Sequence, residues 1–165
     1  MLSQCESLVQ ATESRYATDD ELIFLLHYRK FYAKRLSLYK KIERLERSII
    51  ETTYREIQKK VPQILRNRKQ DISKKWKQDT LRTIRYCAMA VLLDDPENLR
   101  ERYLLWFQTI MGAFNSRQSC DVTYSIMQEV VRELFTTEEL ELLVPILQLV
   151  QDTLGTMEGT QFTKL

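Results

Sequence analysis

Few residues in this chain can do chemistry. His27 is the sole histidine, and three cysteines, Cys5, Cys87 and Cys120, lie far apart. No pair of them has metal-ligand spacing, so a zinc site is not expected. An odd number of scattered cysteines also argues against the disulfide framework of a small secreted domain. There is no Ser-His-Asp arrangement, no phosphate-binding G-x-x-x-x-G-K and no G-x-G-x-x-G run, so catalysis is not expected. Charge is the stronger signal. Between Lys59 and Arg85 ten basic residues face only Asp71 and Asp79, whereas Glu138, Glu139, Glu141, Asp152 and Glu158 make the end of the chain acidic. The basic belt lacks a helix-turn-helix signature and a regular aromatic interleave, so nucleic acid is not the expected partner. A solvated charged face is the expected reading, and its other use is docking on an acidic surface, of a membrane or of another protein.

The belt leads into the stretch Ile72 to Asp95, which reads as one long helix. Ile72, Trp76, Thr80, Ile84, Cys87 and Val91 recur three or four residues apart, and Pro96 marks a stop. Elsewhere helices are expected over roughly Ser3–Ser14 and from Asp19 onward, the latter continuing or bending through Leu36 and Tyr39. A third follows over Ile42–Lys60, ended by Val61-Pro62. Arg66-Asn67-Arg68-Lys69-Gln70 reads as a loop. Pro96 opens a helix with Leu99, Tyr103, Trp106, Phe107 and Ile110 inside, Gly112–Ser119 is a connection, and Asp121–Phe135 is helical. The last helix is expected to be capped by Thr137, with Leu140, Leu143, Val144, Leu147 and Val150 as its apolar face. With three glycines and three prolines in 165 residues and no sustained alternation, the expected class is all-α, in one domain over residues 1–154 with a flexible tail at 155–165. No apolar run spans a bilayer and Met1 leads into a polar segment rather than a signal core, so a soluble, intracellular chain is expected.

The order of helices resembles the phycobiliproteins, the globin-like light-harvesting subunits of phycobilisomes, over nearly the whole chain. Glu13-x-Arg15-Tyr16 followed by Asp20-Glu21-Leu22 is similar to the family's E-x-R-Y-L-x-x-x-E-L. Ile49-Ile50 and Lys59-Lys60-x-Pro62 are similar to its I-I…K-x-P stretch. Asp79, Arg85-Tyr86 and Asp95 fall in register with C-x-R-D-x-E-x-x-x-R-Y-x-x-Y-A-x-x-x-G-D. The resemblance implies a globin-like phycobiliprotein fold with an N-terminal helical hairpin that packs on a partner subunit.

The departures bear on chemistry. The cysteine that carries the family's bilin by a thioether falls on Trp76, and the arginine that pairs with a bilin propionate falls on Gln78. The aspartate that accepts the pyrrole N–H bonds is matched by Asp79. Across the cleft, a glycine falls on Trp106 and a tyrosine on Met111. The two indoles are therefore expected to plug or narrow the pigment cleft, since close-packed interiors leave little volume unfilled. In the alternative, they stack on a tetrapyrrole held without a covalent bond, with Trp76, Gln78, Asp79, Trp106 and Met111 around it. A family contact between subunits pairs an aspartate of the first helix, here Ala11, with the arginine matched by Arg85. Arg85 is then left to find its carboxylate on a phycobiliprotein-type partner or on Glu13 of a second copy, with Glu13, Arg15, Tyr16 and Arg85 as candidate partner contacts. The resemblance also places His27 in the hairpin, away from where a haem ligand would stand.

These readings imply a non-enzymatic protein without covalent bilin. It would bind phycobilisome or photosystem proteins in assembly, regulation or specialised antenna attachment, as a homo- or heterodimer through its hairpin. It would be cytoplasmic, with membrane contact at most peripheral, on the stromal or cytoplasmic face of thylakoids. The alternatives are a protein holding a bilin or chlorophyll non-covalently, and a pigment-free sensory globin-like domain.

Overall fold

The computed structural model describes residues 1–67 and 70–155. Helix α1 (Leu2–Ala11) turns at 12–18 into α2 (Asp19–Lys60). A single helical turn at Pro62–Leu65 leads into a short antiparallel pairing of β1 (Arg66–Asn67) with β2 (Gln70–Asp71). Then come α3 (Ser73–Leu93), the short α4 (Pro96–Leu99), a π-helical turn at Arg100–Leu104, α5 (Leu105–Ala113), α6 (Arg117–Leu134) and α7 (Thr137–Leu154). The architecture is all-α and globin-like, as expected. The flexible tail expected at 155–165 lies, after Gly155, outside the described residues. So do Arg68 and Lys69 of the expected loop, whose flanks form the β1–β2 pairing.

Of the two courses left open at Leu36 and Tyr39 the helix takes the continuous one, and the separate third helix expected from Ile42 is part of it. Residues 19–60 contain neither glycine nor proline, so nothing interrupts the backbone hydrogen bonding. The result is one helix of 42 residues, about 63 Å long at 1.5 Å per residue. Thr18 caps it by accepting from the Glu21 amide while Glu21 reaches back to the Thr18 amide. Only its second half enters the core. Leu38, Ile42, Ile49, Ile50, Thr53 and Ile57 are buried, and no residue before Leu38 is. This half packs on α3 and α6, while α7 covers α3 and α6 from the other side.

Two expectations at helix ends shift by a residue or more. The cap of α7 is Thr136, whose hydroxyl accepts from the Glu139 amide while Glu139 bonds back to the Thr136 amide at 2.8 Å. That reciprocity needs a spacing of three, which Thr137 does not have. The connection before α6 shrinks to residues 114–116, so Cys120 is helical rather than in a loop.

The larger correction concerns Trp106, expected on an inner stripe with Leu99, Tyr103 and Ile110. The π turn takes more residues per turn than an α-helix. The inward face therefore advances by four residues each time, through Leu99, Tyr103, Phe107 and Met111, all buried. Trp106 is carried outward and is 54% exposed. It lies against Phe107 and Tyr103, with ring centroids 6.2 and 6.4 Å away.

Candidate functional site

Helix α3 builds the site because it buries one face along its whole length. Trp76, Thr80, Ile84, Cys87 and Val91 are all buried, as the spacing predicts. Its buried hydroxyls are satisfied along the helix itself. Thr80 Oγ1 donates to the Trp76 carbonyl at 2.7 Å, and Thr83 Oγ1 bonds the Asp79 carbonyl at 3.0 Å while contacting Tyr103 Oη at 2.8 Å.

Trp76 is fixed from two directions. Its Nε1–H donates to Thr123 Oγ1 on α6 at 2.9 Å in a buried bond. Its ring lies against Tyr54 of α2, with centroids 5.8 Å apart and planes tilted by 42°. Tyr54 is itself held, its hydroxyl on Ser73 Oγ at 3.3 Å and Lys77 over its ring at 4.1 Å. The indole is thus a wall between α2, α3 and α6.

Beside that wall lies a cavity of about 250 Å³ between α3, α5 and α6, lined among others by Trp76, Asp79, Phe107, Met111, Cys120 and Tyr124. Phe114 stands at its rim with the Lys75 ammonium 4.7 Å from the ring centroid. Asp79 is the one acidic lining residue. Burial pushes its carboxyl above the ordinary value, with Lys75 and Arg82 pulling the other way, and no described group hydrogen-bonds to it. Burial likewise pushes the Cys120 thiol to about 12, and raises Tyr124 well above 10.0. Neither is a ready nucleophile.

Of the five residues expected around the cleft, the fold brings together Trp76, Asp79 and Met111. Trp106 lies outside for the reason given above. Gln78 is exposed on the other face of α3, in a shallow groove with Leu81, Arg82, Arg85, Tyr86 and Met89. Sequence reasoning missed Phe107 as a cavity residue, although it stood on the expected stripe, and missed Cys120 and Tyr124. Their spacing of four on α6 was the available signal.

The expectation that Arg85 lacks a carboxylate in its own chain is corrected. Its Nε and Nη2 donate to Glu46 Oε2 and Oε1 at 2.8 and 2.7 Å. The cause is the continuity of α2, which carries Glu46 alongside α3. Arg15 is also paired locally, its guanidinium forking onto Glu21 at 2.8 and 2.6 Å. Together with the Thr18 amide, this holds the Glu21 carboxyl down at about 2. Glu13 is exposed and Tyr16 is 97% exposed in the same turn, and His27 is exposed on α2. Asp95 is buried, capping α4 through the Asn98 amide at 3.1 Å and accepting the Ser3 amide and hydroxyl, each at 2.8 Å. It thereby ties α1 to the end of α3.

A globin-like helical body, a hairpin made by α1 and the start of α2, and a cleft walled by α3, α5 and α6 define a phycobiliprotein-type subunit. The family model described as phycobilisome protein matches residues 8–154, and the chain belongs to that family. No curated protein matches the chain closely enough to stand as a relative. No described helix is long and apolar enough to cross a membrane, and the described residues contain no cluster of metal-ligating side chains.

Proposed function

We propose that this protein is a non-enzymatic phycobilisome-associated subunit that works without a covalent bilin. It docks through its hairpin on phycobiliprotein-type or photosystem proteins, in assembly, regulation or specialised antenna attachment. The observation that carries this reading is the first half of α2. Residues 19–37 hold no buried side chain, yet Leu22, Ile23, Leu25, Leu26, Phe31 and Tyr32 are all at least 36% exposed there. Six large apolar side chains exposed within eleven residues of one helix mark an interaction surface. Tyr16 and Glu13, exposed at the hairpin turn, extend it, and the Arg85–Glu46 pair beside Tyr86 and Met89 offers a second contact. The setting is the cytoplasmic or stromal side, with any membrane contact peripheral.

The cleft supports the pigment-free part of the reading. The position that the resemblance matches to the attachment thiol holds a pinned indole, Trp76. Gln78 points away from the cavity, and about 250 Å³ falls below the roughly 300–1,000 Å³ of pockets for drug-sized ligands. These residues do not fit a linear tetrapyrrole. The test pairs tagged protein from a pigment-producing host with its L26E variant. The parent should return colourless and bring down phycobiliprotein or photosystem subunits. The variant should lose them while melting at the parent temperature. Undiminished capture by L26E and by L22E would overturn the docking surface. A stoichiometric visible band would overturn the pigment-free reading.

A further inference from the structure

Trp106 and Phe114 stand outside the core, 54% and 55% exposed. With Ile110 between them they recur every four residues along one side of α5, a stripe about 12 Å long at 1.5 Å per residue. Helix α5 itself carries no charged residue. Charge comes from its neighbours. The Lys75 ammonium of α3 stands 4.7 Å from the Phe114 ring centroid, and Arg82 lies two turns further along the same side of α3. From α6, the Arg117 guanidinium lies over Gly112, where a Cβ would stand 3.4 Å from Nη2. Lys77 and Arg85 are neutralised by Glu51 and Glu46. Lys75, Arg82 and Arg117 are exposed and make no ion pair among the described residues, although Asp79 offsets part of the charge of the first two.

We propose that this face rests on an anionic lipid surface. The Trp106 and Phe114 rings sit at the boundary of headgroups and acyl chains, and Lys75, Arg82 and Arg117 meet the lipid phosphates. An uncharged helix with projecting rings, rimmed by cations, has the two parts that interfacial binding needs. An acidic protein would satisfy the cations but would need an apolar pocket for each ring, whereas acyl chains accept the rings in any orientation. The π turn is the cause of the geometry, since it carries Trp106 outward onto this side, and π turns collect at functional positions. The hairpin surface lies on α2 and the lipid face on α3, α5 and α6, so one subunit has separate contacts for a protein partner and for a membrane.

The test is flotation with phosphatidylcholine vesicles, neat or containing about 30 mol % phosphatidylglycerol. The protein should float with the anionic vesicles at about 50 mM salt, stay behind with the neutral ones, and be released by about 500 mM salt. Trp106→Ala should weaken the partition about tenfold. Lys75→Gln with Arg82→Gln should weaken it about thirtyfold, at about fivefold per charge. Phosphatidylcholine brominated in its acyl chains should quench part of the parent's tryptophan emission and none of that of Trp106→Phe, in which the buried Trp76 alone emits. No flotation with anionic vesicles, equal flotation with neutral ones, undiminished binding in both variants, or emission untouched by brominated lipid would each overturn the assignment. So would loss of vesicle binding in L26E with none in Trp106→Ala, which would move the contact to the hairpin. A protein captured by the parent and lost in Trp106→Ala, with no vesicle binding, would put a protein in place of the lipid. Circular dichroism of each variant confirms that it is folded.

Discussion

Replacing Trp76 by phenylalanine tests whether the indole is a structural wall. Trp76 is 7% exposed and its partner Thr123 is 3% exposed, so the 2.9 Å bond between them is sealed from water. Phenylalanine removes one ring's worth of buried surface, about 1 kcal/mol. It also orphans the Thr123 hydroxyl, about 1–3 kcal/mol. The sum, about 2–4 kcal/mol, is a large share of a typical folding free energy of roughly 5–15 kcal/mol. At roughly 2–4 °C per kcal/mol for a chain of this size it lowers the melting temperature by about 5–15 °C. Thr123→Val orphans the indole N–H instead and costs about 1–3 kcal/mol. In the double variant neither orphan exists, so its loss should fall short of the summed single losses by about 1–2 kcal/mol. Denaturant melts of all four proteins measure the cycle. In a Trp106→Phe background, where only Trp76 emits, fluorescence should be blue-shifted and insensitive to acrylamide. Strict additivity, or a Trp76 emission quenched as readily as that of a surface indole, would refute the wall and with it the reason the cleft is narrow.

Two further perturbations probe other parts of the molecule. Burial alone would raise the Asp95 carboxyl, but the amide and hydroxyl of Ser3, the amide of Asn98 and the N-terminal ammonium at 3.2 Å outweigh it and hold it below 3.8. A depressed carboxylate contributes stability that is full above its unfolded-state value and is lost as pH falls through its folded value. Asp95→Asn keeps one acceptor but loses the charge and the second acceptor oxygen that Ser3 uses, so it should cost about 1–2 kcal/mol at neutral pH, and the gap to the parent should close as melts are taken progressively below pH 3.8. The thiols should separate by rate. Cys87 and Cys120, buried and both pushed to about 12, should resist a disulfide reagent at mildly alkaline pH, whereas the partly exposed Cys5 should react first. A Cys5→Ser variant should lose the fast phase, and release of all thiols should need denaturant.

What could be read from the chain depended on whether the information was local. The stripe of α3 was legible because a single face is buried along the whole helix, whereas the cap of α7 is expected on Thr137 although the spacing of three from Thr136 to Glu139 marks the true one. The unbroken run of α2 was also written locally, in the absence of glycine and proline over 42 residues, although it reads as two helices, the second starting at Ile42. The outward turn of Trp106 was not local in that sense. It depends on the extra residue taken up by the π turn at Arg100–Leu104, which no propensity announces. The Arg85–Glu46 pair joins residues 39 apart and exists only once α2 and α3 are in register. Of the two indoles expected in the cleft, one remains there, and the ring that replaces the other is Phe107.

Trp76 sets the width of this cleft. A small residue at that position would leave an open groove, and closing it needs only apolar volume. Trp76 does close it, and its Nε1–H is matched to a threonine on another helix, so the closure is specific rather than incidental. Asp79 needs no such match. It is only partly buried, so water reaches its carboxyl, while burial raises it and Lys75 and Arg82 pull the other way. The wall is paired inside the fold, where an unmet donor would be costly, and the acid beside it is left to solvent, where it costs little.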